Sequence, residues 1–250
     1  TGDNNCAFGK NTLAANTTAN NNTAFGHYAL ASNTTGNGNV AVGVSALAAQ
    51  TTASNNTAVG KNALLANTTG SENTCLGRQS GENLTTGSGN VFIGNNAGTG
   101  SAPGGNHTTE SNVIVLGDNN ITDARIKVSF VATSDERDKA DITDFTKGLD
   151  FVNALRPVTY KWDMRSNYSN DLSITPDGTH KTPRTEVGLI AQEVETIEKA
   201  NGYGTDENDR LFISKSTDGL HYGLKYERLV PVLINAIKEL SNKVTALEAG

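Results

Sequence analysis

The chain has 250 residues, enough for one or two domains with a core of useful size, and a net charge of −6. That acidic balance gives no footing for a nucleic-acid or anionic-membrane partner, and no apolar run approaches the roughly 20 residues of a spanning helix. No basic leader followed by an apolar stretch marks a signal peptide, and Cys6 and Cys75 are too few and too far apart in sequence for a disulfide framework, so both read as small apolar fillers. The average charge conceals a break: only six of the 26 acidic and five of the 20 basic side chains lie in residues 1–133. Asn, Thr, Gly and Ala dominate that part, whereas the only Trp (Trp162) and the only Met (Met164) fall beyond it.

The first part is an array. The blocks beginning at Asn5, Asn22, Asn39, Asn56, Asn73 and Asn90 share the pattern Asn-x-(Ala/Cys/Phe)-(Phe/Val/Leu/Ile)-Gly, and each starts 17 residues after the last. Ala29-Leu30, Ala46-Leu47 and Ala63-Leu64 follow within their units, and Asn33-Thr-Thr-Gly36 or Asn67-Thr-Thr-Gly70 closes the turn. A degenerate seventh copy, Asn112 to Gly117, follows a Gly/Ser/Pro-rich loop at 98–111. Strand alternation places Ala24 and Ala58 on one face and Phe25, Val42, Val59, Leu76 and Ile93 on the other. About two large apolar groups per unit is thin for a solitary core, whereas three copies about one axis would pool them and let asparagines stack. Residues 1–117 are therefore expected to form an intertwined trimeric β-helix or β-roll, with a single-chain parallel β-solenoid as the alternative. Thr1-Gly2 is in phase with Thr35-Gly36, so the array is expected to begin upstream of this sequence. The regular copies carry no aromatic cluster or charge patch and read as a stiff spacer; the irregular loop 98–111 is the better place for contacts with a receptor.

Residues 118–133 read as a connector in which the alternation of Arg125-Ile-Lys-Val-Ser-Phe-Val131 predicts a last strand over 121–132. Beyond it, 149–155 predicts a short helix stopped before Pro157 and 158–162 a strand. A polar loop covers 165–184, and an amphipathic helix covers 188–199. From Tyr226 the chain is expected to be helical to its end. Val230, Leu233, Ile237, Leu240, Val244 and Leu247 form a heptad seam that suits a coiled coil, with Pro231 in the first turn. The four histidines are scattered and show no metal-ligand spacing; no cofactor is implied.

Four blocks stand out after the composition break: Ser134-Asp-x-Arg-x-Lys139, Leu155-Arg-Pro-Val-Thr-Tyr-Lys-Trp162, Val187 to Glu195 and Tyr226 to Leu240. In this order they resemble the endosialidase-type intramolecular chaperone family, and the resemblance covers 134–250. The repeats in turn resemble those of phage tail fibres and trimeric adhesin heads. The resemblance implies a homotrimeric fibre of the virion whose terminal α+β domain assists folding and then cuts itself off between Thr133 and Ser134. It implies Ser134 as nucleophile and Lys139 as base, with Asp135 and Arg137 as supporting motif residues, and a host-surface receptor or glycan as the fibre's target.

The chemistry fits those residue types. A serine hydroxyl attacks well only when a neighbouring base takes its proton, and a lysine can be that base only when neutral, which burial or a nearby cation favours. The carbonyl of Thr133 adjoins Ser134, so the effective concentration is built into the chain. A structural reading of the same residues is a helix start, with Thr133 and Glu136 as a capping box. A non-catalytic trimeric adhesin or fibre with a terminal cap is the rival reading of the whole.

Overall fold

Each 17-residue unit folds into one turn of a parallel β-solenoid. The computed structural model describes residues 2–169, 173–216 and 219–249. The solenoid's seven short strands are β1 (Cys6–Phe8), β2 (Thr23–Phe25), β3 (Val40–Val42), β4 (Thr57–Val59), β5 (Thr74–Leu76), β6 (Val91–Ile93) and β7 (Ile114–Leu116), stacked in sequence order. All pairs are parallel, so Ala24 lies over Ala41 and Phe25 over Val42, with an offset of 17 residues that becomes 23 where loop 98–111 intervenes. β2 to β6 each pair on both sides with neighbouring turns of the same chain. Of the two arrangements weighed from sequence, the winding is the single-chain parallel solenoid, which leaves no strand edge inside the stack for a second chain to interleave.

Three rows fill the interior. Ala24, Ala41 and Ala58 are fully buried, as are Leu30, Leu47 and Leu64 six residues on. Those leucines have φ of 50°, 52° and 50°, a left-handed conformation that costs an L-residue about 1–2 kcal/mol. Burying each side chain is worth about 1.5–3 kcal/mol and offsets that cost. In the fifth and sixth turns the row changes: Gly81 and Gly98 replace leucine, while Cys75 and Phe92 replace alanine. The exchange conserves volume, because a Cβ on Gly98 would lie 2.7 Å from the Phe92 ring and one on Gly81 2.7 Å from Cys75 Sγ. Burial pushes the Cys75 thiol up to about 12, so it is an inert filler.

The third row is polar. Asn22, Asn39, Asn56, Asn73 and Asn90 are fully buried, and each Oδ1 from Asn5 to Asn73 accepts the backbone N–H of the next asparagine at 2.9–3.0 Å. The ladder ends at Asn90, whose Oδ1 receives Val113 N–H and whose Nδ2 donates to Glu110 O. Val113, not Asn112, thus holds the asparagine's place in the degenerate seventh unit.

The chain divides into two compact units, residues 1–123 with 164–175, and 124–163 with 176–250. In the second, α1 (Leu149–Ala154), β8 (Val158–Tyr160), β9 (Glu186–Gly188), α2 (Ala191–Ala200), β10 (Ile213–Lys215), β11 (Tyr222–Leu224) and α3 (Leu229–Glu248) surround Phe151, Val194, Phe212, Ile213 and Val232. β8 pairs antiparallel with β9, and β10 with β11. The predicted helix over 188–199 therefore starts later, because Glu186 to Gly188 is claimed as a strand by β8. The β10–β11 hairpin was not foreseen. α1 lacks a capping side chain of its own, and Glu239 of α3 supplies it, its Oε2 accepting Leu149 N–H at 3.1 Å. A one-turn 3₁₀ helix over Tyr226–Arg228 leads into α3, whose 20 residues are short for an independent coiled coil.

The strand expected over 121–132 does not form. Ile126, Val128, Phe130 and Val131 are 52%, 72%, 84% and 91% exposed, and the segment has no strand partner among the described residues. Alternation alone does not make a strand when no edge of the same chain is on hand to pair with it.

Candidate functional site

Residues 134–139 make one tight loop. A single 3₁₀ turn spans Glu136–Asp138; Asp138 N–H donates to Asp135 O at 3.2 Å and Lys139 N–H to Glu136 O at 3.1 Å. Its N-cap is Asp135, whose Oδ1 accepts Arg137 N–H at 3.0 Å. The capping box of Thr133 and Glu136 is thus replaced by a cap two residues further on. The Asp135 carboxylate also takes a fork from the Arg137 guanidinium, Nε to Oδ1 at 3.0 Å and Nη2 to Oδ2 at 2.6 Å. Arg137 beside it holds the Asp135 carboxyl below the usual carboxylate range, and Asp135 raises Arg137 in turn.

The turn folds Lys139 back over the start of the loop. Its Nζ donates to Ser134 Oγ at 2.7 Å and to Ser134 O at 3.2 Å. The expected nucleophile and base are therefore in hydrogen-bond contact, with the Thr133 carbonyl one bond away in the chain. All of residues 121–144 are exposed, so the contact is open to water. Among the described residues no group of three or more His, Cys, Asp or Glu could hold a metal ion, and no helix is long and apolar enough to cross a membrane.

Elsewhere, loop 98–111 folds onto the array: Ala102 and His107 are buried, His107 packs on the Phe92 ring at 5.4 Å, and Asn83 Nδ2 donates to Asn106 Oδ1 at 2.7 Å. Sequence reasoning missed that structural role. The motif's own spacing does carry one signal for the Asp135–Arg137 pair, an acid and a base two residues apart across a turn.

A repeat solenoid is thus followed along the chain by a small α+β unit that opens on a Ser–Lys contact. Residues 134–203 match the family model for the chaperone of endosialidase, which supports a chaperone role of the kind associated with phage tail fibres. The match begins at Ser134 and ends before β10, β11 and α3. No curated protein and no solved structure matches the chain.

Proposed function

We propose that this chain is the C-terminal segment of a homotrimeric phage tail fibre, whose terminal domain guides folding and association and then releases itself by cutting between Thr133 and Ser134. The observation that carries the reading is the 2.7 Å contact of Lys139 Nζ with Ser134 Oγ, at the first residue of the matched domain. In the reacting state neutral Lys139 takes the Oγ proton and Oγ attacks the Thr133 carbonyl carbon. The Thr133–Ser134 C–N bond breaks, the Ser134 amine leaves with a proton, and an ester joins Thr133 to Ser134 Oγ. Water hydrolyses that ester, leaving a Thr133 carboxylate and a free Ser134 N-terminus. No cofactor is needed for any of these steps.

Association is supported by two unpartnered apolar surfaces, each within one unit. On the solenoid, Phe8, Phe25, Val42, Val59, Leu76, Ile93 and Leu116 form one in-register row, 36–72% exposed. On α3, the seam of Val230, Leu233, Ile237, Leu240, Val244 and Leu247 is 44–82% exposed, while Val232 and Ala236 on the other side are buried. Such surfaces on a single chain mark contact sites. Packing of further copies would also dry and order the exposed loop 134–139, which would make cleavage report on assembly. A host-surface receptor or glycan is assigned to the polar loop 98–111.

The test is a denaturing gel with intact-mass analysis of the wild-type chain beside Ser134→Ala and Lys139→Ala. Two wild-type pieces meeting at Thr133/Ser134, with both variants whole, support the reading. A wild-type chain that stays whole after folding would instead favour a non-catalytic trimeric adhesin or fibre with a terminal cap.

A further inference from the structure

We infer that Asp135 and Arg137 form a positioning brace that sets Lys139 on Ser134, an inference that rests on the Ser–Lys reading above. A lysine carries among the largest side-chain entropies, and an exposed ammonium gains little from one hydroxyl, so the 2.7 Å contact needs a backbone that delivers Nζ to Oγ. The chain between the two residues is delivered by the 3₁₀ turn at Glu136–Asp138. Apart from its own two backbone hydrogen bonds, no described contact from outside residues 134–139 holds that turn: its residues are exposed and reach no core.

What holds it is the Asp135 carboxylate, which makes three bonds to one residue. It caps the turn through Arg137 N–H at 3.0 Å and grips the same residue's guanidinium through Nε at 3.0 Å and Nη2 at 2.6 Å. An exposed ion pair alone contributes little. Here the pair and the cap share one carboxylate, so backbone and side chain of Arg137 are fixed together. The fork is planar and bidentate, a geometry that lysine at 137 cannot reproduce.

Arg137 is thus a positioning residue: it touches neither Ser134 nor Lys139 through its side chain and acts through the turn that joins them.

The experiment follows cleavage of the full chain after refolding, as a first-order rate. The set is wild type, Ser134→Ala, Asp135→Ala, Asp135→Asn, Arg137→Gln and Arg137→Lys, with circular dichroism and light scattering to verify fold and association. Asp135→Ala and Arg137→Gln are expected to slow cleavage between about tenfold and a hundredfold, the range a displaced catalytic group costs. Asp135→Asn keeps an acceptor for the cap and should fall between, and Arg137→Lys should recover part of the loss. The distinguishing readout is rescue by the conservative variants: Asp135→Asn and Arg137→Lys should regain rate with fold and association unchanged, whereas a merely structural role would lower the rate only in step with a loss of fold or association. Wild-type rates in the 135 and 137 variants, with Ser134→Ala inert, would overturn the brace and leave the Ser–Lys reading standing. A wild-type chain that stays whole overturns both.

Discussion

The side-chain carbonyl of Asn22 accepts twice from Asn39, from Nδ2 at 3.0 Å and from the backbone N–H at 2.9 Å. Asn39 Oδ1 then accepts Asn56 N–H at 3.0 Å, so a buried polar row is satisfied by its own repetition. Asn39→Ala would leave the Asn56 N–H buried without its acceptor, at a cost of about 1–3 kcal/mol. Exposed Asn37 stands in a row where the next two turns use Ser54 and Ser71 for the same bond. Asn37→Ser is therefore expected to change stability by no more than about 0.5 kcal/mol. Urea unfolding of the two variants followed by circular dichroism checks the contrast, and equal destabilisation would refute the ladder's importance.

A second expectation concerns the exchange of large and small residues in the interior. Phe92→Ala should cost about 3–5 kcal/mol, because Gly98 leaves the space beside it unfilled. At the earlier turns that space belongs to leucine six residues after alanine, as in Ala58 and Leu64. Adding Gly98→Leu to Phe92→Ala should recover part of the loss, whereas Gly98→Leu alone should clash with the ring. Non-additivity in a double-mutant cycle by urea unfolding is the readout. Simple additivity would show that the two positions do not share one volume.

The 17-residue period made the solenoid legible, since one repeated pattern dictates one repeated turn. The apolar rows and the outward Phe25-to-Ile93 row followed from alternation; the motif singled out Ser134 and Lys139 only through its resemblance, and their contact was not legible in it. The left-handed leucines did not, because a leucine's sequence gives no hint of positive φ until burial outweighs the backbone cost. Nor did the single-chain winding, because counting apolar groups undervalued the buried asparagine ladder. The strand expected at 121–132 failed for a different reason: its alternation is real, but a strand is a relation to a partner, and sequence shows only one side of it.

In the second unit, Lys199 Nζ donates to Glu195 Oε1 at 3.0 Å on α2, with Lys215 at 4.0 Å. Lys199, and to a lesser degree Lys215, holds the Glu195 carboxyl below the usual carboxylate range. A depressed carboxylate contributes stability above its unfolded pKa of about 4.5 that is lost as pH falls through the folded value. Lys199→Met should therefore destabilise this unit near neutral pH by roughly 0.3–0.5 kcal/mol, the worth of a helix pair at this spacing, and make no difference once Glu195 is protonated. Urea midpoints at pH 7 and pH 3 test this, and a difference that persists at pH 3 would assign the effect to packing of the lysine stem instead.

The outward row of the solenoid gives the sharpest test of association. Val59 and Leu76 are 38% and 36% exposed in the single chain, in register, and flanked along the stack by Val42 and Ile93. A surface that repeats at the pitch of the solenoid is matched along its whole length only by a surface of the same pitch, which another copy of this chain provides. Val59→Lys with Leu76→Lys puts two cations into that row without touching the buried alanine, leucine or asparagine rows. The single-chain fold should survive, with the circular dichroism spectrum unchanged, because the substituted side chains face solvent. The proposed association should not, because like charges brought together in such a contact repel and carry a desolvation cost. Light scattering is expected to give a trimer mass for the wild-type chain and a monomer mass for the double variant. Two trimer masses would move the contact to the α3 seam, where Ile237→Lys, 67% exposed, makes the corresponding break.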